Sequence, residues 1–148
     1  MEETRLREKL ARIEALFAGA ATAGEREAAA GARERILARL RAVELESPPV
    51  EFKFTLADSW SRKLFLALLR RYDLRPYRFP GQRHTTVMVK VSKRFVDETL
   101  WPEYTELAKA LRSYLEEVTQ RVVADVLQGD SSEAEEVAKP KMLTGSRG

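Results

Sequence analysis

The apolar residues of this chain change period at Ser47-Pro48-Pro49, and no all-helical or all-strand fold accommodates both sides of that change. Upstream, Leu6, Leu10, Ile13, Leu16 and Phe17 recur at helical spacing. Downstream, Phe52, Phe54 and Leu56 alternate with Lys53 and Thr55, the period of a half-buried strand. Proline has no amide hydrogen to donate and pushes its predecessor toward extended backbone, so the tandem prolines end the helical pattern. The class that follows is α+β.

Upstream of the switch the spacing predicts a helix over residues 5–18 that ends near Gly19, then a second over 23–43. Thr22-Ala23-Gly24-Glu25 has the form of a capping box, in which the threonine hydroxyl accepts from the third helical amide and the glutamate reaches back. The second helix presents Ala29, Ala32, Ile36, Leu40 and Val43, and its small residues permit close approach to the first. The pair makes a helical hairpin.

Downstream, Asp58 is placed to cap a helix running to Tyr72, with Trp60, Leu64, Leu68, Leu69 and Tyr72 on its apolar arc. Lys63 and Arg70, seven positions apart, share its polar side, flanked by Arg62 and Arg71. Residues 75–79 and 85–91 alternate again around Pro80-Gly81-Gln82-Arg83, which predicts a β-hairpin with Tyr77 and Phe79 on the apolar side beside Val87, Val89 and Val91. Arg78, Met88 and Lys90 then fall on the opposite face, joined by Lys53. Ser92 can cap a short helix to Leu100, and Pro102 predicts a break near Trp101. A long terminal helix follows, with Tyr104, Leu107, Ala108, Leu111, Leu115, Val118, Val122 and Val126 in one stripe.

At 148 residues the chain fits one domain with a core of its own. The expected organisation is a single α+β domain over 1–128: a helical hairpin at 5–43, then a small three-stranded sheet in β-α-β-β order and the long helix over 51–128. Residues 129–148, rich in Ser, Glu, Lys, Gly and Pro, are expected to form a disordered tail.

Absence of cysteine removes disulfides, thiol nucleophiles, iron–sulfur clusters and cysteine zinc sites together. No apolar run has the form of a signal peptide or the length of a membrane span, so the expected location is the cytoplasm, with no membrane partner. The net charge of +3 conceals a strong asymmetry. From Asp58 to Val96 there are ten Lys or Arg residues against two acids, whereas residues 1–57 balance and residues 97–148 are acidic.

Lys9-Leu10-Ala11-Arg12-Ile13-Glu14-Ala15-Leu16, followed by Thr22-Ala23-Gly24-Glu25-Arg26-Glu27-Ala28-Ala29, resembles the helical hairpin of the bacterial domain-of-unknown-function family numbered 2786. The resemblance covers about residues 6–43 and extends loosely to the α+β part beyond. It implies a bacterial or phage-associated context and transfers no functional residue.

Basic side chains on polar faces suit phosphate neutralisation, and interleaved aromatics suit base stacking or an ordinary core. The candidates for nucleic-acid or anion binding are Lys63, Arg70, Arg78, Arg83 and Lys90; Arg75, Arg78 and Arg83 offer a smaller anion pocket. No zinc finger, RNA-recognition motif, KH loop or P-loop accompanies them. His84 is the sole histidine, and as a general base it would need Asp97 or Glu98 brought near. One histidine without cysteine supports no metal site, and no cofactor is expected. Trp101-Pro102-Glu103-Tyr104 reads either as a partner anchor, through Trp101 and Tyr104, or as core where two helices meet. The leading expectation is a non-catalytic nucleic-acid-binding module. The alternative is a protein–protein adaptor or homodimer built on the terminal stripe, and an enzyme comes third.

Overall fold

The computed structural model describes residues 2–140. Its elements run in the order α1 (Glu2–Ala18), α2 (Ala23–Glu46), β1 (Pro49–Thr55), α3 (Ser59–Arg71), β2 (Thr86–Ser92), α4 (Lys93–Phe95) and α5 (Trp101–Val122), with π-helical turns at Val96–Leu100 and Val123–Leu127. The class is α+β. The chain divides after Leu111 into two compact units.

In the first unit α1 and α2 form the expected hairpin. Thr22 Oγ1 accepts from the Glu25 amide and Glu25 Oε2 accepts from the Ala21 amide, each at 3.1 Å, so the capping box forms one residue wider than its simplest version. Leu6, Leu10, Leu40 and Val43 bury the interface between the helices. The larger core lies over one face of the sheet: Val87, Val89 and Val91 of β2 pack with Phe65, Leu68 and Leu69 of α3 and with Phe95, Leu100 and Tyr104. A two-stranded ribbon is marginal by itself, and the helices on this face supply its burial.

The sheet corrects the sequence expectation. It has two strands, β1 and β2, antiparallel from Pro49 opposite Ser92 to Thr55 opposite Thr86. The predicted middle strand at 75–79 contributes only one bridge, in which the Tyr77 and Met88 amides and carbonyls exchange bonds of 2.9 and 2.8 Å. Pro76 and Pro80 on either side have no amide to extend the ladder. The Phe79 amide turns instead to Gln82 Oε1 at 2.8 Å.

The bridge also corrects the register. Tyr77 lies opposite Met88, on the outer face of the ribbon with Lys53 and Lys90, rather than beside the core valines. A one-residue slip exchanges the faces of every side chain, so Arg78 turns toward α3 instead of sharing a face with Lys90. Phe79 is correspondingly exposed, and Trp60, expected on the apolar arc of α3, is 56% exposed with Lys63 Nζ over its ring at 5.4 Å.

Asp58 caps α3 as expected, accepting from the Ser61 amide at 2.8 Å. At the other end the Asp73 amide bonds to Arg70 O and the Leu74 amide to Leu69 O, with Asp73 left-handed at φ 58°. This is a Schellman closure with aspartate where glycine is usual. It reverses the chain and aims residues 75–78 back along α3.

Pro102 does not break the terminal helix. Trp101 donates its amide to Val96 O, five residues back, and this wider turn precedes the proline while the helical backbone continues into α5. A residue with no amide hydrogen is tolerated where the regular bonding register is already interrupted.

The second unit begins with Arg112, within α5, and continues through the second π turn to Leu127. Gln128 closes the helix in the left-handed region at φ 50°, and residues 128–140 have no regular secondary structure. The remainder of the expected tail, 141–148, lies outside the described residues.

Candidate anion-binding cleft

Three elements converge beside the Tyr77 bridge. Along α3, Arg62, Leu66 and Arg70 follow one another at four-residue spacing and present a single ridge. Facing that ridge is the Pro76–Arg78 segment, delivered by the Schellman closure and held in place by the bridge. The third element is the start of β2, preceded by a tight turn: Gln82 N–H bonds to Phe79 O at 3.2 Å around Pro80 and Gly81, the glycine at φ 85°. Proline followed by a left-handed glycine is type II turn chemistry, and a side chain at Gly81 would be strained. The turn returns His84 to the vicinity of Arg78.

These pieces border an open cleft of about 310 Å³ lined by Arg62, Arg70, Arg78 and His84 together with Tyr77 and Leu66. No acidic side chain is among its lining residues. Arg78 Nη1 lies 3.1 Å from His84 Nδ1 and 3.3 Å from the His84 carbonyl oxygen. Because a guanidinium only donates, Nδ1 is the accepting nitrogen in this contact. Arg62 Nε is shielded from solvent and has no hydrogen-bond partner in the structure. Arg7 Nε, outside this cleft, is shielded and unbonded in the same way.

A second cleft, of about 480 Å³, lies on the other side of Tyr77. Its charged residues are Arg7, Arg75 and Lys90 against Glu44, Glu51 and Asp73. Tyr77 donates to Glu51 Oε2 at 2.5 Å, and its phenol is pushed up to about 12, first by that hydrogen bond and then by desolvation and the carboxylate's charge. Arg7 is buried, 3.6 Å from Glu3 and 3.6 Å from Glu44, with its guanidinium carbon 5.4 Å from the Phe95 ring centre. Glu3 in turn accepts from Ser92 Oγ at 3.0 Å, while Ser92 Oγ caps α4 by accepting from the Phe95 amide at 3.1 Å. These charges are matched within the fold and hold α1 to the end of β2.

Of the five basic residues singled out in the sequence, Arg70 and Arg78 come together. Lys63 turns to Trp60, Lys90 lines the balanced cleft, and Arg83 is exposed in the turn outside the lining of either. Arg75 also lines the balanced cleft, so the predicted grouping of Arg75, Arg78 and Arg83 does not form. Arg62 was the missed member: its four-residue spacing to Leu66 and Arg70 was the available signal, whereas the seven-residue spacing singled out Lys63. His84 faces a guanidinium, not a carboxylate, and Asp97 pairs with Lys93 at 2.6 Å. Among the described residues no group of three or more His, Cys, Asp or Glu side chains could hold a metal ion, and no helix is long and apolar enough to cross a membrane.

The two aromatics of the Trp101 segment differ in burial. Tyr104 is buried and meets Phe65 edge-on at 5.1 Å, while Trp101 stacks on Phe54 at 5.6 Å and remains 42% exposed. Compared with models of protein families, with curated proteins and with solved structures, the chain gives no match.

Proposed function

We propose that the protein is a non-catalytic nucleic-acid-binding module that engages phosphate through Arg62, Arg70, Arg78 and His84. One observation carries this reading: three arginines and the only histidine line one cleft with no acid among its lining residues. Guanidinium groups match phosphate oxygens in paired hydrogen bonds, and a cleft lined by one sign of charge attracts the opposite sign. Lys63 and Arg83, exposed outside the cleft, serve as further backbone contacts that add affinity without sequence preference. The resemblance of the hairpin to family 2786 supplies context and no residue.

Fluorescence anisotropy with labelled single- and double-stranded DNA and RNA, at low and at moderate salt, tests the reading. Binding should weaken with salt, and Arg70→Ala and Arg78→Ala should each lower the slope of log affinity against log salt by about one. No binding to any of the four at low salt overturns it.

A second reading, self-association or a protein adaptor, has its own observation in the second unit. Tyr114 is 63%, Val126 73% and Leu127 69% exposed, an apolar display beyond what an isolated surface residue explains. Light scattering across a wide concentration range decides it for self-association, and a concentration-independent monomer overturns that form.

A further inference from the structure

We infer that the cleft selects a terminal phosphate monoester of a nucleic-acid strand over the phosphodiesters within it. The inference rests on the nucleic-acid reading above and adds the class of phosphate recognised.

Charge is the first ground. Arg62, Arg70 and Arg78 bring three permanent positive charges to one cleft whose lining supplies no carboxylate. An internal phosphodiester carries one negative charge and has two unesterified oxygens. A terminal phosphate carries about 1.5 to 2 negative charges near neutral pH and offers three strong acceptor oxygens. The second ligand answers a three-arginine lining far better, because each additional acceptor oxygen gives a further guanidinium a partner.

Chain connectivity is the second ground. A phosphate at the end of a strand can enter with one esterified oxygen trailing outward, whereas a phosphate within a strand has chain on both sides to lead out again.

Size is the third ground. The cleft volume of about 310 Å³ stands at the lower end of small-ligand sites, roughly 300 Å³, which is room for one nucleotide. Pro76, Tyr77 and Leu66 contribute apolar lining beside the arginines, and the Tyr77 ring is held by its bond to Glu51. That wall suits the terminal sugar or base, with the phosphate seated among the guanidinium groups.

The test compares four forms of one single-stranded oligonucleotide, 5′-phosphorylated, 3′-phosphorylated, hydroxyl-ended and circular, at one salt concentration. We expect one phosphorylated form to bind at least tenfold more tightly than the hydroxyl-ended and circular forms, and the two phosphorylated arms identify which end is read. The preference should fall to below about threefold in Arg62→Ala, Arg70→Ala and Arg78→Ala, while Lys90→Ala retains it. Circular dichroism of each variant, with Arg70→Lys as a milder second substitution that keeps the charge and loses the fork, separates site loss from misfolding. Equal affinity for all four forms overturns the inference and leaves the nucleic-acid reading standing. A preference that survives in all three well-folded arginine variants also overturns it. Failure of every form to bind overturns both.

Discussion

The two clefts that share Tyr77 have similarly basic walls and opposite electrostatic characters. On one side Arg7, Arg75 and Lys90 share the lining with Glu44, Glu51 and Asp73; on the other Arg62, Arg70 and Arg78 line the cleft with no carboxylate beside them. In the first cleft Arg7 joins α1 to Glu44 of α2, and Tyr77 is bonded to Glu51 of β1. The second leaves its charges directed at a space. A count of basic residues along the chain does not distinguish these cases, because what matters is whether the fold returns a carboxylate to each one. Functional sites are where a protein tolerates such an imbalance, since removing it would remove the ligand's partners.

The largest expected effect is on stability, and it should fall on one side only. Glu3→Ala removes the carboxylate facing buried Arg7 and the acceptor of the Ser92 hydroxyl, so urea unfolding should report a loss of about 3–5 kcal/mol. Arg70→Ala, at an exposed position in the unbalanced cleft, should stay within about 0.5 kcal/mol of the parent. Equal losses in the two variants would break the contrast between a structural and a binding cleft.

A smaller effect should come from the shared wall. Tyr77→Phe removes the donor to Glu51 and is expected to lower the urea midpoint slightly near neutral pH. The phenol is raised from an ordinary 10 to about 12, so the fold favours its neutral form. That contribution is complete below about pH 10 and is lost as pH rises through about 12. Stability measured from about pH 9 to about pH 12 should therefore fall more steeply in the parent than in Tyr77→Phe. A residual alkaline fall is expected in the variant, because the Tyr72 hydroxyl is also raised, chiefly by burial and then by its hydrogen bond to Glu103. Parallel curves would show that the Glu51 bond does not hold the shared wall.

The smallest effect separates charge from geometry at Asp73. If its main role is the left-handed position after α3, Asp73→Gly should be neutral or stabilising by about 0.5 kcal/mol, and Asp73→Ala should cost about 1 kcal/mol. Comparable losses in both, read by thermal unfolding, would assign Asp73 to the charge balance of the first cleft instead.

Much of the frame was legible in residues close together in sequence. Thr22 and Asp58 announced helix starts, Ser47-Pro48-Pro49 announced the end of the hairpin, and the alternation after Pro49 announced β1; each of these signals acts over a few residues and survived folding. The segment from Arg75 to Pro80 was misread because alternation of apolar residues says which side chains share a face, not which strand they will face. Tyr77 took Met88 as its partner, and every assignment on that segment changed sides. Pro102 was misread for a related reason. Its local preference for a helix start was met by a π turn between Val96 and Leu100, a change of bonding that no propensity announces.

By itself the sequence determined the α+β class, the helical hairpin, the absence of cysteine chemistry and the concentration of positive charge between Asp58 and Val96. Those properties follow from composition and from periods of two and 3.6 residues. The tertiary structure alone decided which charges meet. Arg62 and Arg78 are far apart in sequence and come to one cleft because α3 ends in a left-handed Asp73, the chain doubles back, and a single bridge sets the side on which Arg78 emerges. Lys90, as basic as they are, faces Glu51 across the ribbon and lines the balanced cleft instead. Coulomb interactions act over a few ångströms at full strength, so convergence in space, which sequence spacing does not encode, separates a binding surface from a solvated one.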